Sequence, residues 1–298
     1  MFWVSIKYSQ SYKLVLESEA MSTALGVTVC GDREFRWGER TFIMGVLNLT
    51  PDSFSGDGLG SDIATALARA RRLVAEGADI LDVGGESTRP ESSPLSADEE
   101  LSRVIPVIEK LASEITVPIS IDTYKPEVAR RALEAGARMI NDVWGLRRDP
   151  MLAPLAAEWG VPLVIVANQR EITYKDIIPE VIASLRRGID LARDAGVARE
   201  NIIIDPGIGF GKTLEGNLEL IRRLGELQVL GRPILLGTSR KSMIGLVLNL
   251  PADQRLEGTA ATIALGIAGG ADMVRVHDVL QMGRVSRMAD AIIRGGWT

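Results

Sequence analysis

Residues 117–143 read VPISIDTYKPEVARRALEAGARMINDV, and the order of elements in this stretch decides the fold. A short apolar run, Val117–Ile121, ends in polar residues. A longer amphipathic stretch begins near Lys125, and a second apolar run follows at Met139–Val143. Short runs rich in Val, Ile and Leu are typical of parallel strands that are buried on both faces. The stretch therefore predicts a strand, a helix and a second strand.

The same unit repeats along the chain from residue 40 onward. Six further apolar runs match the two above: Thr41–Leu49, Ala78–Val83, Pro162–Ala167, Asn201–Ile204, Arg232–Leu236 and Asp272–Val276. The segments between the runs have helical spacing, and Gly77 is a typical helix stop signal. Eight such units predict an α/β protein with a single (β/α)8 TIM barrel. A doubly wound open sheet is the alternative, but it seldom needs so many regular units, and no dinucleotide fingerprint opens the first one.

The residues before the first unit predict a smaller element. Val27–Cys30 and Arg33–Trp37 flank Gly31 and Asp32, which is typical of a β-hairpin with glycine first in its turn. We expect this hairpin to close the bottom of the barrel. Residues 1–24 show no clear pattern, so we expect a poorly ordered extension, with Met21 as an alternative start. Residues 25–298 then form one domain.

Composition and charge exclude several classes of protein. The 298 residues include 34 basic and 39 acidic side chains, for a net charge of −5, and no basic stripe that would indicate a nucleic-acid partner. The single cysteine, Cys30, excludes an internal disulfide and a cysteine-based zinc site. No stretch approaches the ~20 apolar residues that a membrane span needs. We therefore expect a cytoplasmic protein with neither a nucleic-acid nor a membrane partner.

Polar residues interrupt three of the apolar runs near their ends. Asp122, Asn141 and Asp205 each follow directly on buried strand residues. The carboxyl ends of the strands carry the chemistry in such barrels. Burying these groups without partners is costly, so we expect a polar ligand in the barrel mouth. Helix caps or turns remain the alternative interpretation for three other acidic residues, Asp52, Asp142 and Asp278.

Basic residues follow the last two strands. Lys241 comes after the seventh, and Arg275 and His277 come at the end of the eighth, where this fold commonly holds phosphate. Arg275 and His277 are two residues apart and therefore share a face of an extended strand. A structural hydrogen bond is the alternative role for His277, but its pairing with Arg275 favours anion binding.

Two familiar nucleotide-binding motifs do not fit the glycine-rich segment 207–213. A P-loop needs glycine where Pro206 stands, and the dinucleotide pattern needs its third glycine one position later. We interpret the segment as a flexible loop that lines the site, with Phe210 as a flat apolar wall. The chain also lacks the motifs of zinc hydrolases and of nucleophile-elbow enzymes.

Several blocks of residues, in matching order from about residue 27 to the C-terminus, resemble one family. The blocks are Met44–Ser55, Asp82–Pro90, Ile121–Thr123, Asn141–Asp142, Asp205–Lys212, Ser239–Ser242 and Arg275–Asp278. They resemble the signatures of the dihydropteroate synthases. The resemblance implies the condensation of 6-hydroxymethyl-7,8-dihydropterin diphosphate with p-aminobenzoate in folate synthesis, competition by sulfonamides, and a homodimer.

The resemblance also implies a role for individual residues around the pterin. Asp205 and Asn141 would hydrogen-bond the donor edge of the ring. Lys241 would meet its carbonyl side and border the second substrate. Asp122 would stabilise the cation that remains on the pterin methylene when pyrophosphate departs.

Roles at the diphosphate follow in the same way. Asn48 would reach a Mg²⁺ ion on the diphosphate. Arg275, His277 and Thr88 would hold phosphate oxygens, to which the arginine fork is well matched.

The p-aminobenzoate site would be formed by two mobile loops, Thr50–Gly58 and Thr88–Pro94, together with Phe210 and Ser239. Arg89, in the second loop, is a further candidate for substrate binding.

One segment departs from the family pattern. After the fifth strand the family usually has a Met-His pair, whereas this chain has Asn168, Gln169 and Arg170. The departure concerns one wall of the pterin pocket, where Asn168 is a candidate to replace some contacts. Two alternatives for the function remain at this point, a pterin-binding methyltransferase of the same fold and a non-catalytic pterin-binding paralogue.

Overall fold

The computed structural model describes residues 25–49, 63–86, 94–168 and 176–295. Ten strands lie within these ranges: β1 (Val27–Cys30), β2 (Arg33–Arg36), β3 (Phe42–Asn48), β4 (Ile80–Gly84), β5 (Ile119–Asp122), β6 (Met139–Asp142), β7 (Leu163–Val166), β8 (Ile202–Asp205), β9 (Leu235–Leu236) and β10 (Met273–Val276). Both ends of the strands β3 to β10 lie within two residues of the ends of the eight predicted runs, except that β9 begins three residues later than its run.

Helices fill the intervals between the strands. Those in the described ranges are α1 (Ile63–Ala75), α2 (Ala97–Glu114), α3 (Pro126–Glu134), α4 (Leu152–Trp159), α5 (Ile177–Asp194), α6 (Leu214–Arg222), α7 (Ser242–Leu248), α8 (Leu256–Ala268) and α9 (Val279–Arg294). Local signals fix several of their ends. Ser96 and Glu99 form a capping box at the start of α2, and Pro126 occupies the first turn of α3.

The eight parallel strands close on themselves. Each of β3 to β7 pairs with the next strand in the chain, while β10 pairs with both β3 and β9. The remaining gap, between β8 and β9, is bridged by a parallel pairing of Ile204 with Ile234, and the Ile204 amide donates to the Pro233 carbonyl at 2.9 Å. The prediction of a TIM barrel is therefore confirmed.

The inside of the barrel has an apolar lower layer and a polar upper layer. Ile80, Met139, Ile203 and Met273 belong to one buried cluster in the barrel interior. Because strand side chains alternate, the residues two positions later point inward as well, one layer higher. At these four strands the upper residues are Asp82, Asn141, Asp205 and Arg275. The polar groups therefore converge at the carboxyl ends of the strands.

The predicted hairpin closes the opposite end. Phe35 and Trp37 join the interior cluster, and the Phe35 ring lies 4.9 Å from the Phe42 ring, edge to face. The Cys30 thiol lies 3.2 Å from the Arg138 carbonyl just before β6, and burial raises its pKa to about 12. Cys30 is thus a packing residue beneath the barrel.

The predicted extension at residues 1–24 lies outside the described residues. From residue 25 onward the described ranges form the hairpin and the barrel. Across these ranges, every helix is too short or too polar to span a lipid bilayer.

We expect Phe35→Ala to lower the free energy of unfolding by about 3–5 kcal/mol, because it leaves a cavity among the aromatic rings under the barrel. Urea denaturation measures the effect. Val29→Ala is the matched control in the same hairpin, because Val29 is 53% exposed and its truncation should cost little. Equal losses for the two variants would contradict this role of the hairpin.

Candidate active site

Arg275 connects the polar groups in the barrel mouth. Its Nε donates to Asp82 Oδ2 at 2.6 Å, and its Nη2 donates to Asp122 Oδ2 at 2.8 Å. The Asn141 amide donates to the same Asp82 oxygen at 3.0 Å. Asp82, Asp122 and Asn141 are all buried. Four inward-facing strand residues therefore form one hydrogen-bonded network.

Three oxygen atoms in this network are left as unused acceptors. Asp82 Oδ1, Asp122 Oδ1 and Asn141 Oδ1 are buried and accept no hydrogen bond from any described residue. Leaving a buried acceptor unpaired costs about 1–3 kcal/mol, more for a charged group. Their concentration at one place indicates a binding surface for a ligand that donates hydrogen bonds.

Burial sets the protonation of these groups. It raises the pKa of the Asp122 carboxyl, although the Arg275 guanidinium opposes the rise. The pKa of Arg275 is raised because the carboxylates of Asp82 and Asp122 outweigh its burial. Arg275 therefore stays charged, and its positive charge limits the rise that burial produces in the pKa of Asp122.

Asp205 and Lys241 lie next to this network. A Cβ atom at Gly237 would be 3.7 Å from Asp205 Oδ2 and 3.9 Å from Arg275 Cβ. Asp205 and Arg275 therefore lie on the same side of Gly237, close to each other. Burial raises the pKa of Asp205, while the Lys241 charge and the Gly207 amide, which donates to Asp205 Oδ1 at 2.6 Å, lower it. The structure thus brings together Asp122, Asn141, Asp205, Lys241 and Arg275, as the sequence predicts.

Lys241 lies against the glycine-rich loop that follows β8. Its Nζ donates to the Ile208 carbonyl and lies 4.1 Å from the centre of the Phe210 ring. A Cβ at Gly209 would approach Lys241 Cδ to 2.8 Å, and Gly209 has a φ of +79°, so only glycine fits there. Phe210 is buried, with its ring under the lysine ammonium, which agrees with the predicted apolar wall.

The glycine-rich loop, for which the sequence predicts flexibility, makes several hydrogen bonds to its surroundings. Asn217 accepts from the Gly209 amide at 2.7 Å and donates to the Thr213 carbonyl at 2.8 Å. Lys212 Nζ donates to the Ala167 carbonyl at 2.6 Å and to the Gly207 carbonyl at 2.9 Å. Burial lowers the pKa of Lys212 to about 7. The loop therefore presents Phe210 from a fixed backbone.

Ser239 and His277 form a pair at the ends of β9 and β10. His277 Nδ1 lies 3.0 Å from Ser239 Oγ, which also accepts from the His277 amide at 3.2 Å. Burial, with the charges of Arg275, Arg240 and Arg69, lowers the pKa of His277 to about 3. The ring is therefore neutral at pH 7, so it can hold an anion by N–H donation but not as the cation that its place beside Arg275 suggests.

The structure shows the contacts of two of the three acidic residues for which a helix cap or a turn is the alternative interpretation. Asp142 accepts from the Trp144 amide at 2.8 Å and from the Leu146 amide at 2.5 Å, so it is a turn residue. Asp278 forms an ion pair with Arg240. The third, Asp52, lies outside the described residues.

A buried ion cluster joins described residues on either side of segment 87–93. Lys125 Nζ contacts Glu86 Oε2 at 2.6 Å and also pairs with Glu100. Glu86 accepts from the Leu95 amide at 3.1 Å and from the Tyr124 hydroxyl. Glu86 and Leu95 flank residues 87–93, so the cluster ties together both sides of this segment.

Sequence reasoning did not single out Asp82 or this ion cluster as functional. Asp82 interrupts the apolar residues Ile80 to Val83 in the same way as Asp122 interrupts its strand, so the same signal identifies it. Lys125 and Glu100 carry no such signal, because charged residues at the start of helices are ordinarily exposed.

The remaining predicted residues lie at the edge of the site or outside the described ranges. Asn48 ends β3 beside Gly84, is half-buried, and makes no side-chain hydrogen bond to another described residue. Thr88, Arg89 and loop 50–58 lie outside the described residues, as does the loop from Thr88 to Pro94 except for Pro94.

In the segment that departs from the family pattern, Asn168 lies in the described ranges. Asn168 is fully buried and donates to the Val143 carbonyl at 2.9 Å, while its own carbonyl accepts from Arg147. Asn168 therefore joins the ends of β6 and β7. Gln169 and Arg170 lie outside the described residues.

Known proteins are similar to this chain in both sequence and architecture. The family of pterin-binding enzymes matches residues 44–277. Dihydropteroate synthase of Clostridium beijerinckii is 52% identical over 265 residues, which are 89% of this chain and 98% of that protein.

Two solved structures are similar along most of their length. The structure of dihydropteroate synthase from Clostridium difficile in the presence of pteroic acid has a TM-score of 0.84 and 52% identity, and the match covers 87% of this chain and 98% of the other. The Xanthomonas albilineans dihydropteroate synthase with 4-aminobenzoic acid has a TM-score of 0.85 and 41% identity, with coverage of 89% and 97%.

His277 gives a pH dependence of stability with a definite sign. Its pKa is about 3 when folded and 6.5 as the ordinary value, so the unfolded chain binds more protons between these limits. Stability contributed by the neutral ring is present above pH 6.5 and is lost as the pH falls towards 3. We expect His277→Asn to flatten the loss of the urea midpoint between pH 7 and pH 5. Parallel curves for the two proteins would show that the buried histidine does not resist protonation.

Proposed function

The chain belongs to the pterin-binding enzymes and, within them, to the dihydropteroate synthases, and from this premise we propose the roles of its residues in the reaction. The enzyme is a transferase. It joins 6-hydroxymethyl-7,8-dihydropterin diphosphate to p-aminobenzoate and releases pyrophosphate. The observation that supports the roles below is the set of buried, unused acceptors in the barrel mouth.

The pterin binds with its hydrogen-bond donors towards these acceptors. A pterin carries an amino group and ring N–H groups along one edge, and Asn141 Oδ1 and the Asp205 carboxylate are oxygen acceptors at the inner wall of the mouth. Pairing with the ligand removes the cost of leaving Asn141 Oδ1 desolvated, and it gives the buried Asp205 carboxylate further donors. Lys241, adjacent to Asp205, meets the carbonyl side of the ring and holds the charge balance of the pocket.

The chemical step separates charge, and the network suits both products. The bond from the pterin methylene carbon to the diphosphate oxygen breaks, and its electron pair leaves with pyrophosphate. The carbon is left as a cation that is delocalised into the ring. The Asp122 carboxylate, fixed by Arg275, stabilises this cation. The amine of p-aminobenzoate then attacks the carbon and loses a proton.

The departing pyrophosphate is held by hydrogen-bond donors on the other side of the mouth. Nε and Nη2 of Arg275 are engaged by the two carboxylates, while Nη1 makes no hydrogen bond to a described residue and is available to a phosphate oxygen. The neutral His277 ring donates through N–H. Thr88 and Arg89 complete the set from the segment that follows Glu86.

The residues present fit a Mg²⁺ ion carried by the diphosphate. In the described ranges no group of three or more His, Cys, Asp or Glu side chains could hold a metal by itself. Mg²⁺ in phosphate-transfer sites is commonly bound by one or two protein oxygens and the substrate phosphates. The Asn48 amide, which makes no side-chain hydrogen bond to a described residue, offers one such oxygen. A bound Mg²⁺ would neutralise charge on the leaving group.

The p-aminobenzoate site is formed by Phe210, Ser239 and Lys241 together with the two loops at residues 50–58 and 88–94. The Phe210 ring supplies a flat apolar surface, and its backbone is fixed by Asn217. Because the loops also meet the diphosphate, the second substrate binds after the first.

We also propose a homodimer through the outer faces of the late helices. Large apolar side chains are exposed on α7, α8 and α9: Leu246, Val247, Leu248, Leu265, Met288, Ile292 and Ile293. Helices α8 and α9 pack on each other, so these side chains lie on neighbouring elements. Exposed apolar surface of this extent is typical of an interface. A cytoplasmic location stays a prediction.

We expect Asp205→Asn to abolish binding of the pterin diphosphate, with at least about a hundredfold rise in Kd, because the amide presents N–H groups to a donor edge. Asparagine can still accept from the Gly207 amide, so the fold is retained. Calorimetry measures binding, and pyrophosphate release with both substrates and Mg²⁺ measures turnover. Near-normal affinity in the variant would refute the role of Asp205, and wild-type binding without turnover would select a non-catalytic paralogue.

Leu265→Lys should weaken the dimer by at least about tenfold, because it places an unpaired charge in a buried apolar contact. Sedimentation velocity measures the association. Met151→Lys is the matched control, because Met151 is 58% exposed and lies just before α4, on the opposite side of the barrel from α8 and α9. A monomeric wild-type protein, or equal effects of the two substitutions, would overturn this interface.

A further inference from the structure

A second cavity lies at the end of the barrel opposite the active site. Its volume is about 190 Å³, and it is lined by Leu25, Arg199, Glu200, Gly231, Arg232 and Pro233. Residues 199–200 directly precede β8, and Arg232 and Pro233 precede β9. The cavity is therefore beside the amino ends of these strands and outside the site where the substrates react.

Arg232 is the buried charge in this cavity. The residue is only 7% exposed, and its Nη1 donates to the Gly231 carbonyl at 2.8 Å. Its buried Nε has no hydrogen-bond partner among the described residues. Within the described residues no carboxylate forms an ion pair with it. A buried guanidinium that lacks a counter-ion is costly and is rarely retained without a partner.

The surroundings of Arg232 add positive charge and do not compensate it. Burial lowers its pKa, and the charges of Arg199 and Arg193 lower it further. A Cβ at Gly231 would be 3.6 Å from Arg199 Nη2, so the Arg199 guanidinium lies against the backbone next to Arg232. Glu200 lines the same cavity but pairs with neither arginine in the structure.

We propose that this cavity binds a small phosphate-type oxyanion between Arg199 and Arg232. Guanidinium groups recognise such anions through paired N–H donors, and the bound charge would supply the missing counter-ion. The site adjoins the seam that closes the barrel, where Pro233 accepts from the Ile204 amide. Binding to the folded state alone would therefore stabilise the closed barrel. The ligand is either free phosphate or the phosphate group of a small ester.

The test measures thermal unfolding of the full-length protein against inorganic phosphate or glycerol phosphate, with sodium chloride matching the ionic strength. We expect Arg199→Gln to raise the half-saturating concentration of the preferred anion at least about tenfold. A tenfold loss of affinity is what the loss of one charge-assisted hydrogen bond typically causes. Arg187→Gln on α5 is the control for general charge loss, since Arg187 is exposed and unpaired with any described residue. The active-site contribution is common to all variants, so equal responses in every protein overturn the proposal.

Two further variants distinguish an external anion from an internal counter-ion. Glu200→Gln should strengthen the phosphate response if Glu200 only repels the ligand. If that variant instead loses stability without phosphate and gains no response, Glu200 is the partner of the arginines and the proposal fails. Arg232→Met, which removes the buried charge, should lose the response and gain stability without phosphate. The kcat and KM of Arg199→Gln should equal those of the wild type. Unchanged kinetics would show that this cavity does not take part in the reaction at the barrel mouth.

Discussion

The ion pairs that Arg275 forms with Asp82 and Asp122 hold the active site together. The three side chains come from β10, β4 and β5, and Arg275 is 193 residues away from Asp82 in the chain. Removing one partner from a buried pair typically costs about 3–5 kcal/mol, because the other charge stays buried and unpaired. The network therefore fixes Asp122 where the proposed mechanism develops positive charge, and Nη1 of Arg275 makes no hydrogen bond to any described residue.

The position of this network follows from how the barrel is filled. An apolar layer containing Ile80, Met139, Ile203 and Met273 lies directly beneath it, and Phe35 of the hairpin closes the lower end. The polar layer is therefore open to ligands only from the mouth. Because these oxygens are buried, leaving them without hydrogen bonds costs free energy. A heterocycle with several N–H donors can pair with more than one of them at once.

The phosphate side of the mouth works differently from the pterin side. His277 is neutral, and Lys241 is directed to the Ile208 carbonyl and the Phe210 ring. Of these three described residues, Arg275 is therefore the one that supplies fixed positive charge where we propose that the pyrophosphate leaves. Next to segment 87–93, Glu86 pairs with Lys125 and is itself held in place. Charge is thereby held in the protein before substrate arrives, which is the arrangement that electrostatic catalysis requires.

The sequence by itself determined the order and type of the elements, the hairpin, and three inward polar residues, Asp122, Asn141 and Asp205. These follow from periodicity and from the cost of burying a polar group, which are local properties. Only the tertiary structure decided that Arg275 pairs with Asp82, that Lys125 bridges two acids, and that His277 is uncharged. Those facts depend on closure of the barrel, because desolvation and contacts between distant strands exist only once the eight strands surround a common axis.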